Sequence, residues 1–349
     1  MKKIIHVVMS LGTGGIENMV VDIANTQSRY HCVVLVVVNN VIDENVRDRL
    51  LSSVQLIKLN RQPKSLSPFF LFDFYRVILK RFPDQLHVHH KDILKLLPFS
   101  FLRKKIKIVH TVHDTGITYK RELGYANTVC AISCSVKTDL KRRQGINAKV
   151  IYNGIDHCLI PVKQCYKRQG LLKIVQIGRL LHEKKGQDIL IDALHTLHKK
   201  KGKLNFTLDI IGAGNSEKYL MDQVTAYNLE GYVHFNSLLS RNSVYERLHQ
   251  WDILIQPSRY EGFGLTVAEA MSAGVPVIVS DKEGPMEIIR HGKYGEFFAS
   301  GNAEHLAQCI ESLQKSYYCG DIQHKAVIAR KYVSTHFAIE KTAEQYALL

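Results

Sequence analysis

The sequence lacks apolar runs long enough to cross a membrane. A transmembrane helix needs about 20 consecutive apolar residues, whereas the longest apolar run, residues 32–38, has the length of one β-strand. The chain also lacks a Cys-x-x-Cys pair, and its seven cysteines are scattered and odd in number. These absences argue against a membrane-spanning or disulfide-stabilised protein, and they predict reduced, mostly buried thiols in a cytoplasmic protein.

Acidic residues are scarce in the first half of the chain. Residues 1–168 contain 27 lysines and arginines but only 12 aspartates and glutamates, whereas residues 169–349 contain 20 of each kind. The formal net charge of +15 therefore belongs to the first half. This charge favours an anionic partner, which is a membrane surface, a phosphorylated acceptor or nucleic acid. Nucleic acid is the weakest of the three, because no recognised nucleic-acid-binding module is present.

Short β-branched runs alternate with amphipathic segments of helical length, a pattern typical of βαβ units with parallel sheets. The pattern predicts one series of strands at residues 3–9, 32–38, 54–59, 85–89, 106–111, 128–132 and 149–151, and a second at 173–177, 206–211, 232–235, 252–256, 275–279 and 295–298. Each series opens with a strand, a glycine-containing turn and a helix. We therefore predict an α/β protein with two doubly wound Rossmann-like domains that face each other across a cleft.

The domain boundaries follow from this division. A polar stretch without clear periodicity, residues 161–171, is the expected join, so that the first domain covers residues 1–168 and the second residues 169–337. The last helix, residues 338–349, comes after the second sheet is complete, and we expect it to pack back towards the first domain.

Two glutamates bracket the start of a predicted helix in the second domain. Glu261 precedes Gly262 and Gly264, which let backbone N–H groups approach a ligand closely. The helix that begins there offers its positive N-terminal end to phosphate, and Glu269 lies about two turns along it. The two carboxylates are thus placed to touch different parts of one ligand. The plainer interpretation of this motif is a turn with a capping carboxylate.

Two cations follow the first strand of the second domain, at the edge where an α/β protein binds its ligand. Arg179 can bind a diphosphate with two hydrogen bonds, and Lys185 can act as a point charge. Lys184 competes for the second role, but Lys185 directly precedes Gly186. The alternative is a solvated basic loop.

In combination these motifs resemble the retaining GT-B glycosyltransferases of group 1 (family 4 type), which include bacterial mannosyl-, galactosyl- and N-acetylglucosaminyltransferases. The resemblance covers nearly the whole chain and is specific for the family but not for the sugar. It is carried by the following motifs, in chain order: Gly14-Gly15-x-Glu17, His113-Asp114, Ile132-Ser133, Asn153-Gly154-Ile155-Asp156, Gly178-Arg179-Leu180, Lys185-Gly186, Pro257-Ser258, Glu261-x7-Glu269, Gly274-x-Pro276 and Glu287-Ile288-Ile289.

The resemblance implies a catalytic group of four residues. Arg179 and Lys185 would hold the donor diphosphate, Glu261 would face hydroxyls of the donor sugar, and His113 would lie over the sugar near the reacting carbon. The first domain would bind the acceptor and the second the nucleotide sugar. The co-substrate would be a nucleotide diphosphate sugar, with UDP favoured, although Asn236-Ser237 replaces a common glycine near the base and leaves the nucleotide open.

The remaining implied contacts bind the donor. Glu269 would bind the nucleotide ribose, and the backbone amides of Phe263, Gly264 and Leu265 would contact sugar and phosphate. Gly15, in the first domain, would approach the diphosphate from across the cleft. The two Gly-x-Gly-x-x-Glu turns resemble dinucleotide fingerprints, but each has glutamate where the third glycine belongs, which argues against a dehydrogenase.

No cofactor or metal is expected at this site, because the two cations take the place of a divalent ion and no Asp-x-Asp motif occurs near the ligand loops. His87 and His89 lie on one face of a predicted strand. A metal site there is one interpretation, but buried or cleft histidines are favoured since no carboxylate partner is evident.

The expected reaction is transfer of a hexose or N-acetylhexosamine to a surface-polysaccharide or lipopolysaccharide precursor, at the inner face of the cytoplasmic membrane. Residues 69–75 and 94–101, both followed by basic residues, are the segments expected to touch anionic lipid, unless they are ordinary core-facing helices. Two alternatives stay open: a GT-B enzyme that makes a soluble glycoside or polymer, and a catalytically silent GT-B protein that serves as a binding subunit.

Overall fold

The computed structural model describes residues 1–65, 68–97, 104–166 and 170–349. The chain forms two compact units: Met1–Gly154 with Phe337–Leu349, and Ile155–His336. Residues 98–103, which include the second half of the segment 94–101 expected to touch lipid, lie outside the described residues.

The first unit is built on a parallel sheet of seven strands within its described residues, in the order β3-β2-β1-β4-β5-β6-β7. Near-continuous apolar runs form these strands, as expected of a parallel sheet covered on both faces; all of β2 after its first residue is buried. The strands are β1 (Lys3–Val8), β2 (Cys32–Asn39), β3 (Val54–Arg61), β4 (Gln85–Val88), β5 (Lys107–Val112), β6 (Thr128–Ala131) and β7 (Lys149–Val150).

The second unit has a parallel sheet of six strands among its described residues, in the order β10-β9-β8-β11-β12-β13. Its core lies between this sheet and the helices on its two faces, and it is formed mainly by leucine, isoleucine and valine. The strands are β8 (Leu172–Ile177), β9 (Phe206–Ile211), β10 (Val233–Asn236), β11 (Ile253–Gln256), β12 (Val277–Ser280) and β13 (Glu296–Phe298). Both sheets agree with the predicted α/β fold and with the predicted strands.

Helices connect the strands of both units. Local signals set their ends: Ser133 caps one helix by accepting a hydrogen bond from the N–H of Val136, and Gly145 ends it in a left-handed conformation. The described helices are α1 (Gly15–Gln27), α2 (Glu44–Arg47), α3 (Phe69–Arg81), α4 (Lys91–Leu94), α5 (Cys134–Gln144), α6 (His182–Lys185), α7 (Gln187–Lys201), α8 (Glu217–Ala226), α9 (Arg241–Leu248), α10 (Leu265–Ser272), α11 (Glu283–Ile288), α12 (Ala303–Cys319), α13 (Ile322–His336) and α14 (Ile339–Ala347).

The second unit begins earlier in the chain than the polar stretch at 161–171 suggests. Lys163 is buried, and its Nζ donates hydrogen bonds to the carboxylate of Asp252 at 2.9 Å and to the carbonyl oxygen of Trp251 at 2.9 Å. The hydroxyl of Tyr166 donates to the carbonyl of Gly274 at 2.7 Å. These contacts tie the segment before β8 to the second unit, although its composition is that of a linker.

Helix α14 returns to the first unit at the end of the chain. The Nε2 of Gln27 donates to the carbonyl oxygen of Ala343 at 2.9 Å, and the hydroxyl of Thr342 donates to that of Tyr152 at 2.9 Å. Gly154 permits this approach, since a Cβ at its position would lie 2.6 Å from the Cα of Ile339. The helix therefore forms part of the first unit's core.

Two further expectations from the sequence concern membrane-spanning helices and the state of the cysteines. Across the part of the chain that the structure describes, no helix is long and apolar enough to cross a membrane. None of the seven cysteines forms a disulfide bond, as expected. However, only Cys130 and Cys309 are buried and the other five are exposed, so the prediction of mostly buried thiols is wrong.

Candidate active site

The predicted ligand loops of the second unit follow β8 and β11, which are neighbours at the centre of its sheet. The strand order reverses at this pair, and such a reversal opens a crevice at the carboxyl ends of the strands where α/β proteins bind ligands. The loops contact each other directly, because the carbonyl of Lys184 accepts hydrogen bonds from the N–H groups of Arg259 at 2.9 Å and Tyr260 at 3.3 Å.

The loop after β8 brings two cations to this edge. Arg179 is exposed, and its backbone carbonyl accepts a hydrogen bond from the buried Gln187 at 2.9 Å. The short helix α6 then places Lys185 next to Gly186, whose φ is +69°. A Cβ at Gly186 would lie 2.0 Å from the carbonyl oxygen of Pro257, so only glycine lets the two loops approach this closely.

Lys185 and Glu261, which were predicted to bind different parts of a ligand, form an ion pair. The Nζ of Lys185 donates to Oε2 of Glu261 at 2.5 Å, and both side chains are only partly exposed. Gln256 and Ser258 add weaker hydrogen bonds to the same oxygen, at 3.3 and 3.4 Å. Thr266 fixes the amide of Gln256 by donating to its Oε1 at 3.2 Å. Among the described residues every hydrogen bond to this carboxylate goes to Oε2, which leaves Oε1 for a ligand.

A helix start completes this side of the site. Gly264 has a φ of +102°, and α10 begins at the next residue, Leu265, with its first backbone N–H groups at the loop. The ring of Phe263 is buried, so this residue can meet a ligand only through its backbone. The backbone of Glu261 is held from the other side, because its N–H donates to the carboxylate of Glu283 at 2.7 Å.

Glu269 is 5% exposed, and its Oε1 accepts hydrogen bonds from Arg241 at 3.0 Å and from the hydroxyl of Tyr245 at 2.9 Å. The Arg241 guanidinium also lies 4.9 Å from the centre of the Tyr245 ring. Neither Arg241 nor Tyr245 is among the residues predicted from the sequence. Their spacing of four residues on α9 places them on one helix face, but no sequence signal joins that face to Glu269.

The other two predicted site residues lie in the first unit. Gly15 is the exposed first residue of α1, directly after the loop that follows β1. His113 follows β5 and is half-buried, and its Nε2 lies 3.2 Å from Nδ1 of His89. The structure thus groups Arg179, Lys185 and Glu261 with the start of α10 in one unit, and it places Gly15 and His113 in the other.

The first unit contains an unusual group of buried histidines. Burial lowers the pKa of His6 and His110 from 6.5 to about 4 and the pKa of His113 to about 3. It also lowers the pKa values of His87 and His89 well below 6.5. All five rings are therefore neutral at pH 7. Nitrogen atoms of His6, His87 and His89 lie within 4.8 Å of one another, so the strand histidines are buried as the sequence analysis favoured.

Two family models match the chain. The model for glycosyltransferase family 4 matches residues 13–158, and the model for glycosyl transferases of group 1 matches residues 163–330. The two matched regions correspond closely to the two structural units.

Curated relatives share parts of the sequence. A glycogen synthase of Mycobacterium tuberculosis is 31% identical over 188 residues, which are 54% of this chain and 44% of the relative. N-acetyl-alpha-D-glucosaminyl L-malate synthase of Bacillus anthracis is 26% identical over 287 residues, 75% of this chain and 73% of the relative. The chain spans about half the length of the first of these relatives.

A solved structure shares the whole fold. The crystal structure of Anabaena HepE in complex with UDP and glucose matches with a TM-score of 0.81 and 22% identity, and the match covers 100% of this chain and 99% of that one. At this identity the match establishes the fold, which is GT-B, as predicted.

The buried histidines predict that the first unit loses stability in mild acid. Below pH 6.5 the unfolded chain binds protons that the folded unit excludes until about pH 4. The free energy of unfolding should therefore fall as the pH is lowered through this window, by up to about 1.4 kcal/mol per pH unit for each such histidine.

Urea unfolding at several pH values within this window tests the prediction. Far-UV circular dichroism follows both units, whereas fluorescence of the single tryptophan, Trp251, follows the second unit, in which every histidine is at least partly exposed. The Trp251 transition is the internal control. Parallel pH dependence of the two signals above pH 5 would contradict the prediction.

Proposed function

The chain belongs to the group 1 glycosyltransferases of the GT-B fold, and on this premise we propose that it is a retaining enzyme. It transfers a hexose or N-acetylhexosamine from a nucleotide diphosphate sugar, with UDP favoured, to a surface-polysaccharide or lipopolysaccharide precursor. The observation that carries the proposal is the group formed by Arg179, the Lys185–Glu261 pair and the start of α10 at the carboxyl ends of β8 and β11.

The donor diphosphate binds between the cations and the helix start. Arg179 is exposed at the strand end, and the fork of its guanidinium matches two phosphate oxygens. Lys185, in the same loop region after β8, supplies a second positive charge. The N–H groups at the start of α10, after Phe263 and Gly264, add the partial positive charge of a helix N-terminus.

The sugar and the nucleoside contact the two glutamates. Glu261 turns Oε1 towards sugar hydroxyls while Oε2 is held by Lys185. Glu269 binds the nucleotide ribose, and hydrogen bonds from Arg241 and Tyr245 hold its carboxylate in place. In the first unit, Gly15 contacts the diphosphate and His113 contacts the sugar. The glucose- and UDP-bound HepE structures support a nucleotide-sugar donor for this fold.

Catalysis follows from where charge develops. Breaking the sugar–phosphate bond produces an oxocarbenium-like sugar and adds negative charge to the leaving diphosphate. Arg179 and Lys185 interact more strongly with that charge in the transition state than in the bound donor, which lowers the barrier. The leaving phosphate then takes the proton of the attacking acceptor hydroxyl on the same face of the sugar, so that the anomeric configuration is retained.

The first unit provides the acceptor side, and its surface supports a membrane-associated acceptor. Helix α3 buries Phe74 and Ile78 but exposes Phe69 by 82% and Phe72 by 73%. Exposed basic residues follow on the same helix, at Arg76 and Lys80. Exposed aromatic rings beside basic side chains are typical of helices that lie in the interface of an anionic bilayer. Peripheral attachment to the inner face of the cytoplasmic membrane is therefore part of the proposal.

Replacing Arg179 by alanine should lower kcat by about 10²–10³, as loss of one transition-state donor usually does. Lys185→Ala should lower kcat similarly and Lys184→Ala should not, because only Lys185 is paired with Glu261. The measurement is donor hydrolysis and transfer with UDP-sugars, and Lys184→Ala is the matched control. Arg179→Ala activity within a factor of about three of wild type would exclude a catalytic role for this cation.

Activity should be complete in excess EDTA. Arg179 and Lys185 supply the positive charge that a divalent cation gives to the leaving diphosphate in metal-dependent enzymes. The wild-type protein is assayed after dialysis against EDTA, with and without added Mg²⁺ or Mn²⁺. Activity that disappears with the chelator and returns with either ion would refute the proposed metal independence.

The protein should bind anionic vesicles and release them in high salt. Each lysine or arginine near such a surface contributes about 1 kcal/mol, and the Debye length falls from about 10 Å at 0.1 M salt to about 3 Å at 1 M. Flotation with anionic and with neutral vesicles at both salt concentrations measures this.

A Phe69→Ser/Phe72→Ser variant should bind the anionic vesicles more weakly, and Leu348→Ser, which changes an exposed apolar side chain at the end of the chain, serves as its control. Binding of wild type to neither kind of vesicle, or equally to both, would assign the positive charge to a soluble anionic acceptor instead.

A further inference from the structure

A continuous row of hydrogen bonds links His113 to helix α14 through the interior of the first unit. It runs from His113 to His89, then to His6, to Gln27 and to the backbone carbonyl of Ala343. His6 and His89 lie on the same face of β1 and of the end of β4, and neither is exposed to solvent. We call this row the histidine relay.

The direction of the relay is fixed at its far end. The Ala343 carbonyl can only accept a hydrogen bond, so the side-chain atom of Gln27 that faces it at 2.9 Å must be the nitrogen. The other amide atom of Gln27, the oxygen, then faces Nε2 of His6 at 2.8 Å. An amide oxygen accepts only, and Nε2 of His6 therefore carries a proton.

Because the histidine rings are neutral, the position of the proton on His6 determines the proton positions on the next rings of the row. Because burial lowers the pKa of His6 to about 4, its ring has a single N–H at neutral pH, and Nδ1 keeps a lone pair. Nε2 of His89 lies 3.1 Å from that Nδ1 and must donate to it. His89 is also neutral, so its Nδ1 accepts in turn, at 3.2 Å, from Nε2 of His113.

We propose that Gln27, His6 and His89 act as positioning residues that hold His113 in the tautomer with its proton on Nε2, so that Nδ1 is the nitrogen available to accept a hydrogen bond from a substrate hydroxyl. The role of the substrate hydroxyl rests on the proposed function, whereas the tautomer follows from the hydrogen bonds of the first unit alone. Reversing any one ring would place two N–H groups or two lone pairs face to face and leave buried polar atoms unpaired.

A metal ion is the competing use of these histidines. His6, His87 and His89 offer nitrogen atoms within 4.8 Å of one another, and Nδ1 of His87 has no hydrogen-bond partner among the described residues. However, Nδ1 of His6 and Nε2 of His89 lie at a hydrogen-bond distance of 3.1 Å, and a metal ion bound to both nitrogens would replace this hydrogen bond. The group contains no carboxylate or thiolate, and a divalent cation buried among neutral rings would lack a counter-charge.

His87 has a different part in the arrangement. Its Nε2 lies 2.8 Å from the hydroxyl of Thr111, which itself donates to the hydroxyl of Tyr346. The His87 ring packs between those of His89, at 4.0 Å between centroids, and Tyr346, at 4.6 Å. It therefore restrains the orientation of His89 without taking part in the relay.

The test is the tautomer of His113 in the full chain, read from long-range ¹H–¹⁵N couplings after selective histidine labelling, with His113→Gln to assign the signal. In the wild type at neutral pH we expect the proton on Nε2. Gln27→Met removes the fixed end of the relay and should leave His113 in a mixture of both tautomers. His6→Gln, which also interrupts the row, should do the same if Gln27→Met does not fold.

Gln85→Met is the matched control, because Gln85 is a buried glutamine of the same unit whose side chain has no partner among the described residues. It should keep the wild-type tautomer. In activity assays Gln27→Met should lower kcat by about tenfold. This is the lower end of the roughly 10- to 100-fold loss that follows when the residue orienting a metal-bound histidine is removed. The donor KM should change little, and Gln85→Met should keep wild-type kcat.

The proposal would be overturned by a wild-type His113 protonated on Nδ1, or by one tightly bound metal ion per purified chain in elemental analysis. A Gln27→Met variant that keeps a single Nε2–H tautomer would overturn it as well. None of these readouts needs a substrate. A wild-type protein with the expected tautomer but no turnover of any nucleotide sugar would sink the proposed function and leave the relay in place.

Discussion

The site of the second unit depends on one partly buried ion pair, between Lys185 and Glu261. The pair joins the loop after β8 to the loop after β11, and Gly186 lets those loops approach. Glu261 balances the charge of Lys185 through Oε2 and keeps Oε1 free of hydrogen bonds from the described residues. A single contact thus holds the two loops together, and under the proposed function it also sets the distance between the groups assigned to the diphosphate and to the sugar.

The two units differ in net charge. Residues 1–154 and 337–349 contain 25 lysines and arginines against 13 aspartates and glutamates, whereas residues 155–336 contain 22 against 19. Such an excess destabilises a folded unit through self-repulsion. In the second unit, two of the cations at the candidate site are matched by carboxylates, Lys185 by Glu261 and Arg241 by Glu269, whereas Arg179 is exposed.

Strands were the most predictable part of the fold, because long β-branched runs such as that of β2 have no alternative to burial in a parallel sheet. The sequence places the join at residues 161–171 because Lys163 looks like a solvated residue there; in the structure Lys163 pairs with Asp252, which is distant in the sequence. For the candidate site, glycines and cations at strand ends predict Arg179, Lys185 and Glu261, and the structure places all three in the second unit. Arg241, Tyr245 and Gln27 were missed for one reason: each acts through a contact between elements far apart in the chain, which local spacing does not encode.

The histidine relay shows why such contacts matter for chemistry. A half-buried histidine alone has two neutral tautomers of similar energy, and each presents a different nitrogen to a ligand. His113 obtains its direction from the carbonyl of Ala343, which belongs to α14, the helix that the chain adds after its second unit is complete. Gln27 and the buried rings of His6 and His89 pass this orientation of the hydrogen bonds on to His113. The two rings must be neutral for this, because a ring with two N–H groups would donate at both nitrogens. The burial of these histidine rings in the more basic unit therefore has a functional consequence. It keeps the rings uncharged, and it leaves a single orientation for the hydrogen bonds of the row.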